Sequence, residues 1–334
     1  MNITITDIAE KAKVSRMTVS RVLSGSGYVA KETAEKIKKI MKELDYHPNL
    51  VARSLSSQKT KTIGLIIPKT EKLFLDNYLS QVLSGISDIS QEKDYKLMLL
   101  PVNRTGPEKT SYLGFIRSRL FDGLIVLKAQ IGDPSIKELV DSDFPSIIVN
   151  HRLYSDKLNF VDSENTKGTE SALEYLYKKG HRKIAFFAGS LNETNAKDRL
   201  QGYKNFLKKH HLQYNSDYVF YGEFNKGIAF KEAEKIIKLK NKPTAIFCSD
   251  DYMALGVMDR LKENKINIPD DIAVMGFDNI EIGEFYRPAL TTVKQSMFEI
   301  GKSSLEALLA LINNQKKSPI RIMVKTQLVI RDSV

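Results

Sequence analysis

From Thr62 onward the sequence alternates short β-branched or leucine-rich runs with longer stretches of helical spacing, and this alternation constrains the fold more than any other feature. The strand-like runs are Thr62–Ile67, Lys96–Leu100, Gly123–Leu127 and Ser146–Val149, then Lys183–Ala188, Tyr218–Tyr221, Thr244–Cys248 and Ile272–Phe277. Between the first two, Leu79, Val82, Leu83, Ile86 and Ile89 give Tyr78 to Lys93 a helical apolar face. Strands alternating with helices belong to βαβ units and parallel sheets. Two successive sets predict two similar lobes, with ligands bound beyond the carboxyl ends of the strands.

The first sixty residues follow another pattern. Thr4 and Asp7 have the spacing of a capping box, and Ile5, Ile8, Ala9 and Ala12 give the helix behind it one apolar face. That helix is expected to stop near Lys13. Ser15 can cap a second helix, with Val14 and Val19 spaced as a hydrophobic staple. Val19, Val22 and Leu23 form its buried stripe, which leaves Arg16, Met17, Thr18, Ser20 and Arg21 on the other face. Two short helices joined by a tight turn make a helix-turn-helix, and an Arg-bearing outer face suits a DNA major groove. A third helix is expected from about Lys31 to Leu44, with Ile37, Ile40, Met41 and Leu44 inward. Asn49 to Gln58 is compatible with a helix of about two turns, too short to be stable alone in water. It reads as a hinge that folds only when contacts are supplied.

Charge supports this division. The chain carries a net +11, of which +6 lies in residues 1–61. A basic head on a nearly balanced body points to a polyanionic partner for the head. The 42% hydrophobic content is enough for a sizeable core. The single Cys248 lies in the strand-like Ala-Ile-Phe-Cys and reads as a buried structural thiol, consistent with a reducing cytosol. No apolar run reaches membrane-spanning length and the start lacks a signal-peptide pattern, so a cytoplasmic location is expected.

Catalytic patterns are missing. Gly25-Ser-Gly-Tyr-Val-Ala30 fits a dinucleotide-binding string but follows a helix instead of a strand. There is no P-loop and no G-x-S-x-G, and the five histidines show no metal-ligand spacing. Neither an enzyme nor a cofactor or metal site is expected. Polar residues gather where strands end: Asn150, Asp250, Asp251 and Asp278, with Arg199 at the start of a helix. Carboxylates at such corners cap helices, as Asp251 is expected to do. In one cleft, carboxylates and an arginine fork also bind sugar hydroxyls, and Phe224 could supply an apolar face for a ring.

The order Thr-Asp-Ile-Ala-x-x-Ala, Val-Ser-x-x-Thr-Val-Ser-Arg-Val-Leu, Leu-x-Tyr-x-Pro-Asn and Ala-Arg-Ser-Leu resembles the lactose/galactose repressor (LacI/GalR) family. The likeness continues through Lys61-Thr-Ile-Gly-Leu-Ile-Ile-Pro68, Gly180-His-Arg-Lys-Ile-Ala-Phe, Asp251-Tyr-Met-Ala, Gly276-Phe-Asp and Leu290-Thr-Thr-Val-Lys-Gln. It implies an α/β chain with a three-helix head (1–47), a hinge (48–60) and a two-lobed, periplasmic-binding-protein-like core of parallel sheets (61–334). The lobes would cover about 61–160 with 292–321, and about 161–291 with 322–334. It implies a homodimeric repressor of a palindromic double-stranded operator, controlled by a small effector of the carbohydrate class. The alternatives are a purine- or sugar-phosphate-responsive regulator, or a sugar-binding protein of the same core without gene-specific regulation.

Carried over by position, the resemblance implies DNA contacts from Thr4, Ser15, Arg16, Met17, Thr18, Ser20 and Arg21, and from Asn49, Ala52 and Leu55 in the hinge. Leu55 would be the wedge that opens a base step in the minor groove. For the effector it implies Arg199 and Asp278 first, then Asn150, Asn195, Phe224, Asp250 and Gln295. The sequence departs from the family pattern at Asp250, where Asn is common, at Asn150, where an acid is usual, and at Lys69-Thr-Glu-Lys-Leu-Phe-Leu. Lys13 replaces a usual turn glycine and Ala30 a usual helix cap. The chain ends at Arg331-Asp-Ser-Val without a heptad helix, so dimers are expected instead of tetramers.

Overall fold

In a computed structural model the described residues are 3–24, 27–46, 59–69, 76–103, 110–152 and 156–334. Asn49, Ala52 and Leu55, and the expected hinge apart from residues 59 and 60, lie outside them. Residues 1–63 with 114–122 form one compact unit, and 64–113 with 123–334 the other.

The first unit contains α1 (Ile5–Ala12), α2 (Arg16–Ser24) and α3 (Lys31–Glu43). Thr4 and Asp7 close the capping box at α1: the Thr4 amide donates to the Asp7 carboxylate at 2.7 Å, and the Asp7 amide to the Thr4 hydroxyl at 3.4 Å. The Thr4 bonds hold the Asp7 carboxyl below its ordinary value. Lys13 ends α1 with φ 56°, the left-handed conformation that a glycine would adopt at less cost. Ala30 gives α3 no side-chain cap. Ile8, Ala9, Ala12, Val19, Ile37 and Ile40 are buried together, with Val14, Val22, Leu23, Met41 and Leu44 packed around them.

The second unit is built on two six-stranded sheets. In chain order the elements after the head begin with β1 (Thr62–Pro68), α4 (Asn77–Glu92), β2 (Lys96–Val102), α5 (Leu113–Arg117, nearly all in the first unit), β3 (Gly123–Val126), α6 (Pro134–Asp141), β4 (Ser146–Val149) and β5 (Phe160–Ser163). Next come α7 (Asn165–Lys178), β6 (Ile184–Ala188), α8 (Thr194–Lys209), β7 (Val219–Tyr221), α9 (Lys226–Lys238), β8 (Ala245–Cys248) and α10 (Asp251–Glu263). The chain finishes with β9 (Ala273–Asp278), α11 (Ile282–Phe285), β10 (Thr291–Gln295), α12 (Met297–Ile312), β11 (Arg321–Val324) and β12 (Thr326–Val329). The sheet orders are β11-β5-β4-β3-β1-β2 and β12-β10-β9-β8-β6-β7.

β3, β4 and β5 are buried at every position, as expected for strands covered on both faces. β3, β4, β5 and β11 pair in parallel, as do β10, β9, β8, β6 and β7, while β12 runs antiparallel to β10, Thr292 opposite Val329. The crossings between sheets fall a few residues later than the lobe boundaries expected above. β5 runs to Ser163 and β11 to Val324 in the first sheet. β10 does not return the chain to the first lobe at residue 292: Thr291–Lys294 still pair with Met275–Asp278 of β9, because ladder bonds hold the strand to its end. The chain thus crosses after Ser163, after Gln295 and between Val324 and Thr326.

Candidate functional site

A cavity of about 410 Å³ opens where strands of both sheets end. Lys128 follows β3 and Asn150 follows β4; Asp250 follows β8, and Asp278 and Gln295 are the last residues of β9 and β10. Asp76, Asn77 and Tyr78 line it from the start of α4, Glu193 and Asn195 from the start of α8, Glu223 and Phe224 from the loop after β7, and Tyr252 from α10; Arg199, expected at the helix start, lies in the second turn of α8, which begins at Thr194. All seven residues expected at the effector site on sequence grounds therefore line one cavity. A larger cavity of about 590 Å³, lined by Phe144, Ser146 and Lys316 among others, sits at the starting end of β4, away from the strand ends where α/β sheets bind ligands.

Arg199 is the hub. Its side chain is buried, lies 3.8 Å over the Phe277 ring, and donates from Nε to Asn165 Oδ1 at 3.0 Å and from Nη1 to the Ser249 carbonyl. Asp278 stands 3.7 Å from Nη1 and accepts from Gln295 Nε2 at 2.5 Å. Gln295 Oε1 in turn accepts from the Ser163 hydroxyl at 2.6 Å, and Asn165 Nδ2 donates to the Ser163 carbonyl at 3.2 Å. This closed ring runs through two of the three crossings between sheets. Asp162 is tied in as well, accepting from the Ser163 amide at 2.7 Å and Asn165 Nδ2 at 3.0 Å, with Arg152 Nε 3.3 Å away.

Burial raises the carboxyls here. Asp278 is pushed up to about 6 by burial, against the pull of Arg199 and the Gln295 bond. Asp250 is pushed up to about 7 by burial and then by the charge of Asp278, and Asp162 to about 7 by burial. Asp250, expected as an effector contact, is also the helix cap: Met253 N donates to its Oδ1 at 2.7 Å. Asp251, expected as the cap, is instead buried, accepting from Thr292 Oγ1 at 2.5 Å and Ile280 N at 2.8 Å. The cap falls one residue earlier because Asp250 has the extended backbone a cap requires, while Asp251 is already helical.

Several lining residues adopt left-handed backbone: Lys128 (φ 54°), Asn150 (φ 56°), Glu223 (φ 51°), Phe224 (φ 55°) and Asp278 (φ 122°). Each costs about 1–3 kcal/mol, and such strain gathers at binding sites. Phe224 packs against the end of β6, where a Cβ on Gly189 would fall 2.1 Å from its ring. Asn77 Nδ2, Tyr78 OH and Asn150 Oδ1 are buried with no hydrogen-bond partner among the described residues. Groups left in that state at a cavity wall are the places a ligand would satisfy.

Sequence reasoning missed Asp76, Asn77, Tyr78, Lys128, Glu193, Glu223, Tyr252 and Ile280. Lys128 was within reach of the strand-end rule, since it follows the Gly123–Leu127 run. The partners of Arg199 at Ser163 and Asn165 had no local signal.

In the head, Ser15 accepts from the Thr18 amide at 3.1 Å, and the two hydroxyls lie 2.9 Å apart. Thr4, Arg16, Met17 and Arg21 are exposed and Ser20 is half-buried; Met17, 64% exposed, is conspicuous for an apolar side chain on a helix that already has a buried stripe. Among the described residues no cluster of His, Cys, Asp or Glu is arranged for a metal ion, and no helix is long and apolar enough to cross a membrane.

These features match known proteins along the whole chain. Residues 4–49 match the family described as bacterial regulatory proteins, lacI family, and residues 173–334 the periplasmic binding protein-like domain. The HTH-type transcriptional repressor PurR of Vibrio vulnificus (strain CMCP6) is 33% identical over 99% of this chain and 98% of its own. Among solved structures, a Lac repressor dimer bound to operator and the anti-inducer ONPF aligns with TM-score 0.85 and 27% identity, covering 100% of this chain and 99% of that one. A transcriptional regulator CelR–cellobiose complex aligns with TM-score 0.77 and 28% identity, covering 99% and 100%. The chain belongs to the lacI family of bacterial regulatory proteins. It is a DNA-binding transcriptional repressor of that family with an effector-binding core.

Proposed function

We propose that this repressor acts as a homodimer on a palindromic operator and is controlled by a carbohydrate bound in the 410 Å³ cavity. The observation that carries the reading is one chain holding both a helix-turn-helix with exposed Arg16 and Met17 and a cavity built on Arg199, Asp278 and Asp250. Arg16 and Met17 read base edges, Arg21 contacts a base or phosphate, and Thr4, Ser15, Thr18 and Ser20 set the head on phosphates. One matched base contact is worth about 1–3 kcal/mol, so one head cannot select a genomic site and two are needed. In the hinge, Asn49 and Ala52 approach the minor groove and Leu55 wedges a base step.

Sugar hydroxyls donate to Asp250 and Asp278 and accept from Arg199 and Asn195, and Phe224 covers a ring face. The cellobiose carried by the CelR neighbour supports this ligand class. Binding DNA, the protein works in the cytoplasm, and the reading assigns it no catalysis. The test is a thermal-shift and titration screen of mono- and disaccharides on the full chain. A sugar that raises the melting temperature and changes operator affinity supports the reading; a sugar that binds without changing operator affinity contradicts the coupling.

A further inference from the structure

The cavity that the proposed function rests on has an uneven charge and hydrogen-bonding inventory. Five carboxylates line it, Asp76, Glu193, Glu223, Asp250 and Asp278, against two cations, Lys128 and Arg199. Both cations are already engaged. Lys128 Nζ is ion-paired with Asp76, and Arg199 faces Asp278 at 3.7 Å while donating to Asn165 and Ser249. Asp250 is paired with no cation among the described residues.

Two of the usual anion-binding positions at this cavity are filled from within. A helix N-terminus attracts phosphate because its first amides are unpaired and its dipole is positive there. Three helices begin at this cavity, and each has an acid at the cap. Asp76 accepts from Leu79 N at 3.1 Å at the head of α4 and Asp250 from Met253 N at 2.7 Å at the head of α10, while Glu193 precedes α8 and places its charge there without a cap hydrogen bond. What is left open for a ligand is the second carboxylate oxygen of Asp250 together with the unpartnered Tyr78 hydroxyl, Asn77 Nδ2 and Asn150 Oδ1. Asn150 is 6% exposed, so its bare carbonyl oxygen is held out of bulk water at the cavity wall.

From this we infer that the effector is a hydrogen-bond donor free of phosphate and carboxylate groups, an uncharged or amine-bearing polyol, and that Asp250 is a residue enforcing that choice. A hydroxyl or amine donates to the open Asp250 oxygen and to Asn150 Oδ1, and accepts from Tyr78 and Asn77. A phosphate is acceptor-only at most of its oxygens and meets like charge at each helix start, a juxtaposition that disfavours binding in a desolvated site. The raised carboxyl of Asp250, pushed up by burial first and then by the charge of Asp278, agrees with this.

The inference rests on the cavity being the effector site, and the test separates the two. Isothermal titration of the full chain uses matched sets: glucose, glucosamine and glucose 6-phosphate; galactose and galacturonate; ribose and ribose 5-phosphate; cellobiose; adenosine and its monophosphate. The expected result is a neutral or amine-bearing ligand bound at least roughly a hundredfold more tightly than its anionic partner. Asp250→Asn, which keeps an oxygen for the Met253 amide, narrows that gap at least roughly tenfold. An anionic member binding as tightly as its neutral partner overturns the charge rule and leaves the effector site standing. A gap unchanged in Asp250→Asn overturns the role of Asp250. Adenosine bound over its monophosphate, with no sugar bound, supports the charge rule and overturns the carbohydrate reading. No binding by any member overturns both.

Discussion

At the scale of single residues, Arg199 is a buried cation whose cost of desolvation is met by a ring face, two oxygens and a facing carboxylate. Removing one partner of a buried pair strands the other, which costs about 3–5 kcal/mol. Arg199→Ala is therefore expected to lower the urea midpoint of the core and to abolish effector binding; an unchanged midpoint would deny the ring its structural role. The carboxyls add a pH dependence with a definite sign. Asp250 and Asp278 titrate near 7 and 6 in the folded chain and near 3.8 when free, so the fold binds more protons than the unfolded chain between those values. Their contribution to stability is complete below the free value and is lost as pH rises through 6 to 7, so the ligand-free melting temperature is expected to fall over that window. Ligand donors favour the ionised forms, so effector affinity is expected to rise over the same window. Melting curves and titrations across it measure both slopes, and parallel trends would contradict the assignment.

At the scale of elements, two close approaches shape the second unit. α4 and α12 cross at Gly85 and Gly301, where an added Cβ would lie 2.0 Å from the Phe298 carbonyl oxygen and 2.1 Å from that of Val82. These neighbours are backbone and cannot rotate away. Gly85→Ala is expected to cost more than the roughly 1–3 kcal/mol of ordinary overpacking, read as a lowered melting temperature. At the site, Gly189→Ala would displace the Phe224 ring. Effector affinity should drop while operator affinity without effector stays, and a normal effector titration would remove Phe224 from the site. Eight of the twelve strands among the described residues were legible, most of them because burial on both faces leaves uninterrupted apolar runs, as in Ile184–Ala188; β5, β10 and β11 were not legible as strands. The antiparallel β12 and the exact crossings were not, because Thr326–Val329 is half-exposed and its alternation does not specify direction. Asp278 and Asp250 could be picked out at strand ends, whereas Gln295 came only through the family resemblance. The first-lobe wall of Asp76 to Tyr78 could not, since it depends on which part of α4 the strand ends face.

At the scale of the whole molecule, a basic head and an acid-lined cavity serve opposite partners: the head's Arg16 and Arg21 suit a polyanion, while the cavity repels one. A regulator of this kind needs a coupling of about 1–3 kcal/mol between the two sites. The hydrogen-bonded ring through Ser163, Asn165 and Gln295 is the physical connection from ligand to the crossings between lobes. Leu55→Ala is expected to weaken operator binding with the core melting temperature unchanged; normal affinity would contradict the hinge wedge. The most direct measurement starts from random DNA, enriched on the full chain until a site emerges, and titrates that site with and without the sugar that binds the cavity. The expected result is a palindrome, an affinity loss of about 1–3 kcal/mol for Arg16→Ala, and an operator affinity that shifts with the sugar in the wild type but not in Arg199→Ala. Enrichment of no symmetric site, or operator affinity indifferent to a sugar bound in the cavity, would contradict it.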